Sequence, residues 1–249
     1  MENVQMNRVV AGIQARMGST RLPGKSLMDL GGKPIVHWVI DRVKRASQID
    51  EVWILTTTNP EDDALVEAVE RKASVLRGDP QDVRSRYEQL IQKTEASLIF
   101  RITADCPLVD WTLLDSLVEI KQRKNTDYSH ILAQPYYSTS YPNGFNAELF
   151  TKGAFNKMTQ LGKTAADKEH VTLPVDNFPE KFKIARLAPV QELSRPHWKL
   201  SVDTNKELNL VRLIVGCLGT NAENACAKDI VAVLDAHPEW QRDYEENLK

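Results

Sequence analysis

The sequence predicts an α/β fold built on a parallel sheet, and three observations carry that prediction. Short apolar runs alternate with helix-period segments through the first half of the chain, as successive βαβ units require. The helix starts between those runs carry capping residues and first-turn acids. The first apolar run also opens straight into a loop rich in glycine and cations, at the sheet edge where open α/β folds bind ligands.

In chain order, Arg8 to Ile13 (RVVAGI) reads as a buried strand. Glu51 to Thr57 (EVWILTT) and Ser97 to Ile102 (SLIFRI) read as two more, with a short one at Ser74 to Leu76. Asn59 is placed to cap a helix, Pro60 takes its first position, and Glu61, Asp62 and Asp63 sit where the helix dipole favours anions. Asp79-Pro80-Gln81-Asp82 repeats that signal ahead of Val83, Tyr87, Leu90 and Ile91 at helical spacing. Asp110 caps a helix carrying Leu113, Leu114, Leu117 and Val118. From about Asp127 the pattern loosens, and Gln134 to Asn143 (QPYYSTSYPN) reads as a structured loop. Lys199 to Val202 reads as a strand leading into a helix. Thr204 and Glu207 form a capping-box pattern there, with Leu208, Val211 and Val215 on one face. Asp203 then falls at a strand end.

The 249 residues suit one large domain, or one domain with a modest lobe. A chain this long buries roughly 70–75% of its unfolded surface, so its core needs no disulfide or metal. Thirty-two Lys and Arg against thirty-four Asp and Glu leave a net charge of −2. That balance argues against a bulk nucleic-acid binder, and the five scattered tryptophans form no stacking stripe. No run approaches the ~18 apolar residues of a membrane span. Met1 to Arg8 is polar and does not read as a signal peptide. Three cysteines (Cys106, Cys217, Cys226) lack paired metal-ligand spacing, so a reducing, cytoplasmic home is expected.

Gln14 to Ser26 (QARMGSTRLPGKS) concentrates the chemistry. Glycines let a backbone approach a phosphate, and cations neutralise it. A P-loop needs four residues between its glycine and Gly-Lys-Ser; Gly18 and Gly24 are separated by five, and no long helix follows. Asp105, just beyond a strand in RITADCPL, and Asp203 each read alone as turn or capping residues. Together they stand at strand ends on one expected ligand edge, and Mg²⁺ bound to nucleotide phosphates takes one or two protein carboxylates. His37 reads as a packing residue, and Cys106 has no base partner that would make it a nucleophile.

The loop QARMGSTRLPGK resembles that of the CMP-Kdo synthetase and acylneuraminate cytidylyltransferase superfamily, closest to the branch named for spore coat polysaccharide protein F. DLGGKPIVHWVIDR, TTTNPEDD, RGDPQDV, RITADCPLVD, YPNGFNAELF, KEHVT and KLSVDT agree with it in family order, from about Arg8 to Val211. The resemblance implies a Rossmann-like mixed sheet flanked by helices, of the GT-A-like nucleotidyltransferase type. It implies one domain over 1–249, with an acceptor-side lobe around 127–198. The implied reaction is Mg²⁺-dependent transfer of CMP from CTP to a sugar acid, releasing pyrophosphate; transfer to a phosphorylated polyol or other small phosphate, or a non-catalytic nucleotide- or sugar-binding protein, are the alternatives.

On that resemblance Arg16, Lys25, Asp105 and Asp203 are the expected catalytic residues, with Asp105 and Asp203 on the metal. Gln14, Ala15, Arg16, Gly18, Ser19, Arg21, Lys25, Asp82, Arg86 and Thr103 are expected around the nucleotide. Tyr141, Asn143, Glu169 and His170 are expected on the acceptor side. Arg21 reads equally as a phosphate contact or the partner of an acid, His170 as an acceptor contact or a structural histidine, and Asp82 as a first-turn dipole partner. Arg84-Ser85-Arg86 departs from the Leu-Asp-Arg of relatives, and Ala104 replaces a common glycine. Lys163, Lys168, His170, Lys181, Arg186 and Arg195 are the pool of groups available to a carboxylated acceptor. The expected partners are CTP and a small sugar acid, with neither nucleic acid nor membrane; a homodimer is left open.

Overall fold

Alternation of strand and helix along the chain becomes a layered sheet in the structure, a computed structural model that describes residues 8–132 and 138–241. Strand β1 (Val9–Gln14) runs into the glycine-rich loop, which closes on a short antiparallel pair, β2 (Asp29–Leu30) and β3 (Lys33–Pro34). Helix α1 (Ile35–Val43) leads to β4 (Glu51–Thr57), α2 (Asp63–Val69), β5 (Ser74–Gly78), α3 (Val83–Thr94) and β6 (Leu98–Thr103). After α4 (Trp111–Lys124) come β7 (Tyr128–Ile131), β8 (Ala147–Thr151), α5 (Lys152–Leu161), α6 (Ala165–Glu169), α7 (Leu173–Asn177), β9 (Ile184–Arg186), α8 (Asn205–Leu218) and α9 (Ala227–Ala236).

Seven strands form one mixed sheet in the order β5-β4-β1-β6-β8-β7-β9. The first four are parallel, β8 is antiparallel to both β6 and β7, and β9 runs parallel to β7. Residues 127–198 therefore extend the same sheet rather than building one of their own.

Side-chain alternation along β1 sends its residues to two cores. Val9, Ala11 and Ile13 pack toward α1, α4 and α8, whereas Val10 packs toward Tyr87, Leu90 and Ile91 of α3. Gly12 lies on that second face, where a Cβ would meet the Tyr87 ring at 2.7 Å. Gln14 follows two residues later, on the side of α3. That alternation decides which way the end of β1 aims its last side chain.

Three of the helix starts follow their sequence signals. Asp82 accepts from the Ser85 amide (2.8 Å), Asp110 from Thr112 and Leu113, and Glu207 of the α8 capping box from the Thr204 amide (2.7 Å). Two expectations need correction. Asn59 gives no side-chain cap; Asp62 does stand in the first turn, fully buried, and accepts from the Thr57 amide at 3.1 Å. Lys199 to Val202 is not a strand but a single bridge, Asn143 to Lys199. Of the loop expected at 134–143, residues 134–137 lie outside the described residues.

Candidate active site

The parallel strands end along one edge, and a cavity of about 330 Å³ opens there. Gln14, Ala15, Arg16, Ser19, Arg21 and Lys25 line it from the loop after β1, Thr103 and Asp105 from the end of β6, Arg86 from α3, and Glu169, His170 and Asp203 from later segments. Twelve residues expected from sequence thus meet at one site. Gly18, Asp82, Tyr141 and Asn143 do not line it.

The loop is held by its own backbone. The Gly24 and Ser19 amides donate to the Met17 carbonyl at 3.0 and 2.8 Å, and the Met17 amide donates to Asp62 at 2.7 Å. Asp62 therefore ties the loop to the end of β4, a positioning role that reading it as a dipole partner missed.

Asp203 reaches the cavity by a different route from the one its sequence context suggests. Gly144 adopts φ +127°, and a Cβ there would meet the Leu200 carbonyl carbon at 2.7 Å. This close approach lets the Leu200 and Ser201 amides donate to the Asn143 carbonyl (2.5 and 3.1 Å), and the Val202 amide then donates to the Asp105 carbonyl at 2.8 Å. Asn143, outside the cavity, thus acts through its backbone. Tyr141 is buried edge-on against Phe145, and Asp82 sits 3.5 Å from the Lys168 ammonium.

Lys25 stands at the centre. Its ammonium donates to Asp105 (2.8 Å), Asp203 (3.2 Å) and the Val202 carbonyl (2.8 Å), which uses all three of its hydrogens. Burial opposes its charge, yet the two carboxylates outweigh burial and hold its pKa above the ordinary lysine value. Burial likewise penalises the Asp203 carboxylate, but Lys199 and Lys25 hold its pKa below the usual carboxylate range. Arg21 takes the ion-pair alternative, 2.9 Å from Asp203, and Lys199 lies 2.8 Å from the same carboxylate. Lys199 was not anticipated; its signal was the i,i+4 spacing to Asp203. Arg16 pairs with Glu169 at 3.3 Å across the mouth, and both remain partly exposed. His170 lines the cavity as an exposed residue.

Thr20, Ser26, Val83 and Ala104 also line the cavity and were not among the site residues expected from sequence. Val83 is buried at the first turn of α3, an apolar patch among polar walls.

The donor set fits a divalent cation. Two carboxylates already converge on one cation, the Lys25 ammonium, and two is the protein share of a Mg²⁺ that takes its other positions from phosphates and water. Among the described residues no group of three or more His, Cys, Asp or Glu could hold a metal without such help.

The chain and its fold are similar to known proteins. The family model described as cytidylyltransferase matches residues 10–217. The chain belongs to the cytidylyltransferase family. It is 28% identical to the spore coat polysaccharide biosynthesis protein SpsF of Bacillus subtilis, over 94% of this chain and 97% of that protein. A solved cytidylyltransferase from Leptospira borgpetersenii superposes with a TM-score of 0.85 at 27% identity, covering 94% of this chain and 96% of that one. The 3-deoxy-manno-octulosonate cytidylyltransferase of Escherichia coli is 35% identical over 42% of each chain. The cytidylyltransferase described here is therefore an enzyme of nucleotidyl transfer on the nucleotidyltransferase fold. Among its described residues, no helix is long and apolar enough to cross a membrane.

Proposed function

We propose that this cytidylyltransferase joins CMP from CTP to a sugar acid of the octulosonate or nonulosonate kind, with Mg²⁺ and release of pyrophosphate. The observation that carries the reading is the convergence of Asp105 and Asp203 on Lys25, beside a cation-bearing loop at the strand ends. The name of the Escherichia coli relative supports the acceptor class, and that of the Bacillus subtilis relative supports a role in surface polysaccharide synthesis. Three free cysteines support a reducing, cytoplasmic location. The chain acts as one domain, with residues 127–198 supplying the acceptor side.

An acceptor oxygen attacks the α-phosphorus in line, and pyrophosphate leaves from the opposite side. The protein's contribution is positioning and neutralisation of charge, with no covalent enzyme intermediate. Asp105 and Asp203 would hold a Mg²⁺, which when bound would polarise the α-phosphate and lower the pKa of the attacking hydroxyl. Lys25 and Arg16 neutralise the triphosphate and the departing pyrophosphate. Glu169, His170, Tyr141 and Asn143 shape the acceptor side, the last two from behind the wall. Thr103, Ala15, Gln14 and Arg86 form the base side; Gly18, Ser19 and Arg21 flank the phosphates.

Pyrophosphate release, measured with CTP and Mg²⁺ across a panel of sugar acids and phosphorylated polyols, tests the reading. Release that depends on a sugar acid supports it. Release with polyol phosphates alone moves the acceptor to that class, and no release with any acceptor overturns the reading.

A further inference from the structure

Lys199 stands behind Asp203. It does not line the cavity, yet its ammonium lies 2.8 Å from Asp203 Oδ2 and 3.4 Å from Glu207 Oε1. Lys25 and Arg21, which do line the cavity, take the other oxygen, Oδ1, at 3.2 and 2.9 Å. One oxygen of the carboxylate is thus turned to cavity groups, and the other to a cation outside. We propose that Lys199 is the positioning residue that keeps Asp203 aimed at the metal once Lys25 and Arg21 turn to the triphosphate. The inference rests on the CTP and Mg²⁺ reading above and goes further, by naming what fixes the second carboxylate ligand during turnover.

Lys199 suits that task because it is fixed at both ends. Its backbone neighbours are tied to one residue: the Trp198 carbonyl accepts from the Asn143 amide at 2.9 Å, and the Leu200 amide donates to the Asn143 carbonyl at 2.5 Å. At the tip, Glu207 is 4% exposed. Its Oε2 accepts from the Thr204 amide (2.7 Å) and hydroxyl (2.6 Å) in the capping box of α8. A carboxylate locked into a helix start gives the ammonium a stationary partner. The lysine therefore bridges a rigid cap and a metal ligand. It does so across the turn into α8, which begins only at Asn205.

Among the described residues, three cations meet Asp203, and of these Lys199 alone stands outside the cavity, where phosphates do not draw it off. With nucleotide bound, Asp203 keeps its orientation through Oδ2, and Oδ1 is the oxygen left for the metal. A carboxylate without that tether is free to change rotamer. The charge of Lys199, taken alone, opposes a metal cation nearby. Positioning and bare charge therefore pull metal affinity in opposite directions, which makes them separable.

Mn²⁺ binding to the enzyme with CTP and no acceptor, followed by electron paramagnetic resonance, tests this. Lys199→Met is expected to bind Mn²⁺ about tenfold more weakly than wild type, the worth of one charge-assisted hydrogen bond. Loss of a neighbouring cation alone would tighten binding instead. In the Asp203→Asn background the same substitution should cost nothing more, since no carboxylate is left to aim. Lys199→Arg, which keeps the charge and the reach, should restore most of the affinity. In turnover, Lys199→Met should lower kcat by up to about 10²-fold, the cost of a misplaced group, with KM for CTP unchanged. If circular dichroism shows that Lys199→Met does not fold, Lys199→Gln is read in its place. Unchanged or tighter Mn²⁺ binding in the folded variant, or a loss that adds to that of Asp203→Asn, overturns the inference while the metal reading stands. Equal Mn²⁺ binding by wild type and Asp203→Asn takes Asp203 off the metal and overturns both.

Discussion

The Val202 amide donates to the Asp105 carbonyl at 2.8 Å, and this one bond sets Asp203 beside Asp105 although 97 residues separate them in sequence (203 minus 105, less one). Asp105 sits in the turn after β6, and Asp203 in the segment that enters α8. The bridge between those segments, seeded by Gly144 and the Asn143 carbonyl, assembles a two-carboxylate site from distant parts of the chain.

Asp105→Asn and Asp203→Asn are each expected to cut turnover about 10²–10³-fold, the scale of losing one preorganised electrostatic contact. An amide offers a dipole where the metal needs a charge, so both variants should also need more Mg²⁺. The fold should survive, since Lys25 keeps one carboxylate in either case. Pyrophosphate release titrated with Mg²⁺, beside circular dichroism, checks this. Near-wild-type turnover at limiting Mg²⁺ in a folded variant removes that residue from the ligand set.

Lys25→Met and Arg16→Met should separate on stability. Arg16 is partly exposed and holds one long ion pair, so its loss is expected to change stability by less than about 1 kcal/mol. Lys25 is 14% exposed in its side chain and donates to three acceptors. Removing it takes the ammonium from Asp105 and the Val202 carbonyl, while Asp203 keeps Arg21 and Lys199, at about 1–3 kcal/mol. Urea unfolding gives the difference, and equal midpoints for the two variants would contradict it. Both variants should lose pyrophosphate release.

His130 predicts an acid-side loss of stability that has nothing to do with the cavity. It is buried in β7, stacked on Tyr128, with Glu148 and Arg186 as its charged neighbours. Burial lowers its pKa from 6.5 to about 4. As pH falls below 6.5 the unfolded chain takes up a proton that the folded chain refuses, so stability declines until about pH 4. The total is at most about 3 kcal/mol. A plot of urea midpoint against pH should flatten over that window in His130→Gln; an unchanged slope would clear His130 of the effect.

Much of this was readable in the sequence, and the parts that were not share a cause. The β1–α–β4 pattern, the caps at Asp82, Asp110 and Thr204, and the cation-rich loop are local features, and periodicity and capping chemistry report local features well. Asp62 is the first-turn acid its position announces, but its bond to Met17 joins residues 45 apart and is made only by folding. Lys199 to Val202 has the composition of a strand, yet it pairs with Asn143 through one bridge, because the Gly144 turn gives it no longer partner. Arg86 was named from its motif; that its Nε, like the Gln14 Oε1, is buried without a hydrogen-bond partner is a property of packing that no pattern of residue types records.

The charge count around the two aspartates predicts that metal and nucleotide bind together. Asp105 and Asp203 supply two negative charges, while Lys25, Arg21 and Lys199 supply three positive ones within 3.2 Å of them. Lys199 also meets Glu207 at 3.4 Å, which balances the cluster, so a free divalent cation finds both carboxylates already neutralised and its place taken by an ammonium. Two unit charges about 4 Å apart near a protein surface interact by about 4 kcal/mol at an effective dielectric of 20, enough to decide the matter. A triphosphate turns the site negative and offers Lys25 and Arg21 new partners, which frees the carboxylates for Mg²⁺. Mn²⁺ is the observable probe, followed by electron paramagnetic resonance. Wild type should bind it at least about tenfold more weakly without CTP than with it, a difference of about 1.4 kcal/mol, well inside the interaction just estimated. Lys25→Met and Lys199→Met should each narrow that gap by strengthening the nucleotide-free binding. If Mn²⁺ binds wild type equally well with and without CTP, the three cations do not guard the site, and Lys25 has some other reason to lie between the two carboxylates.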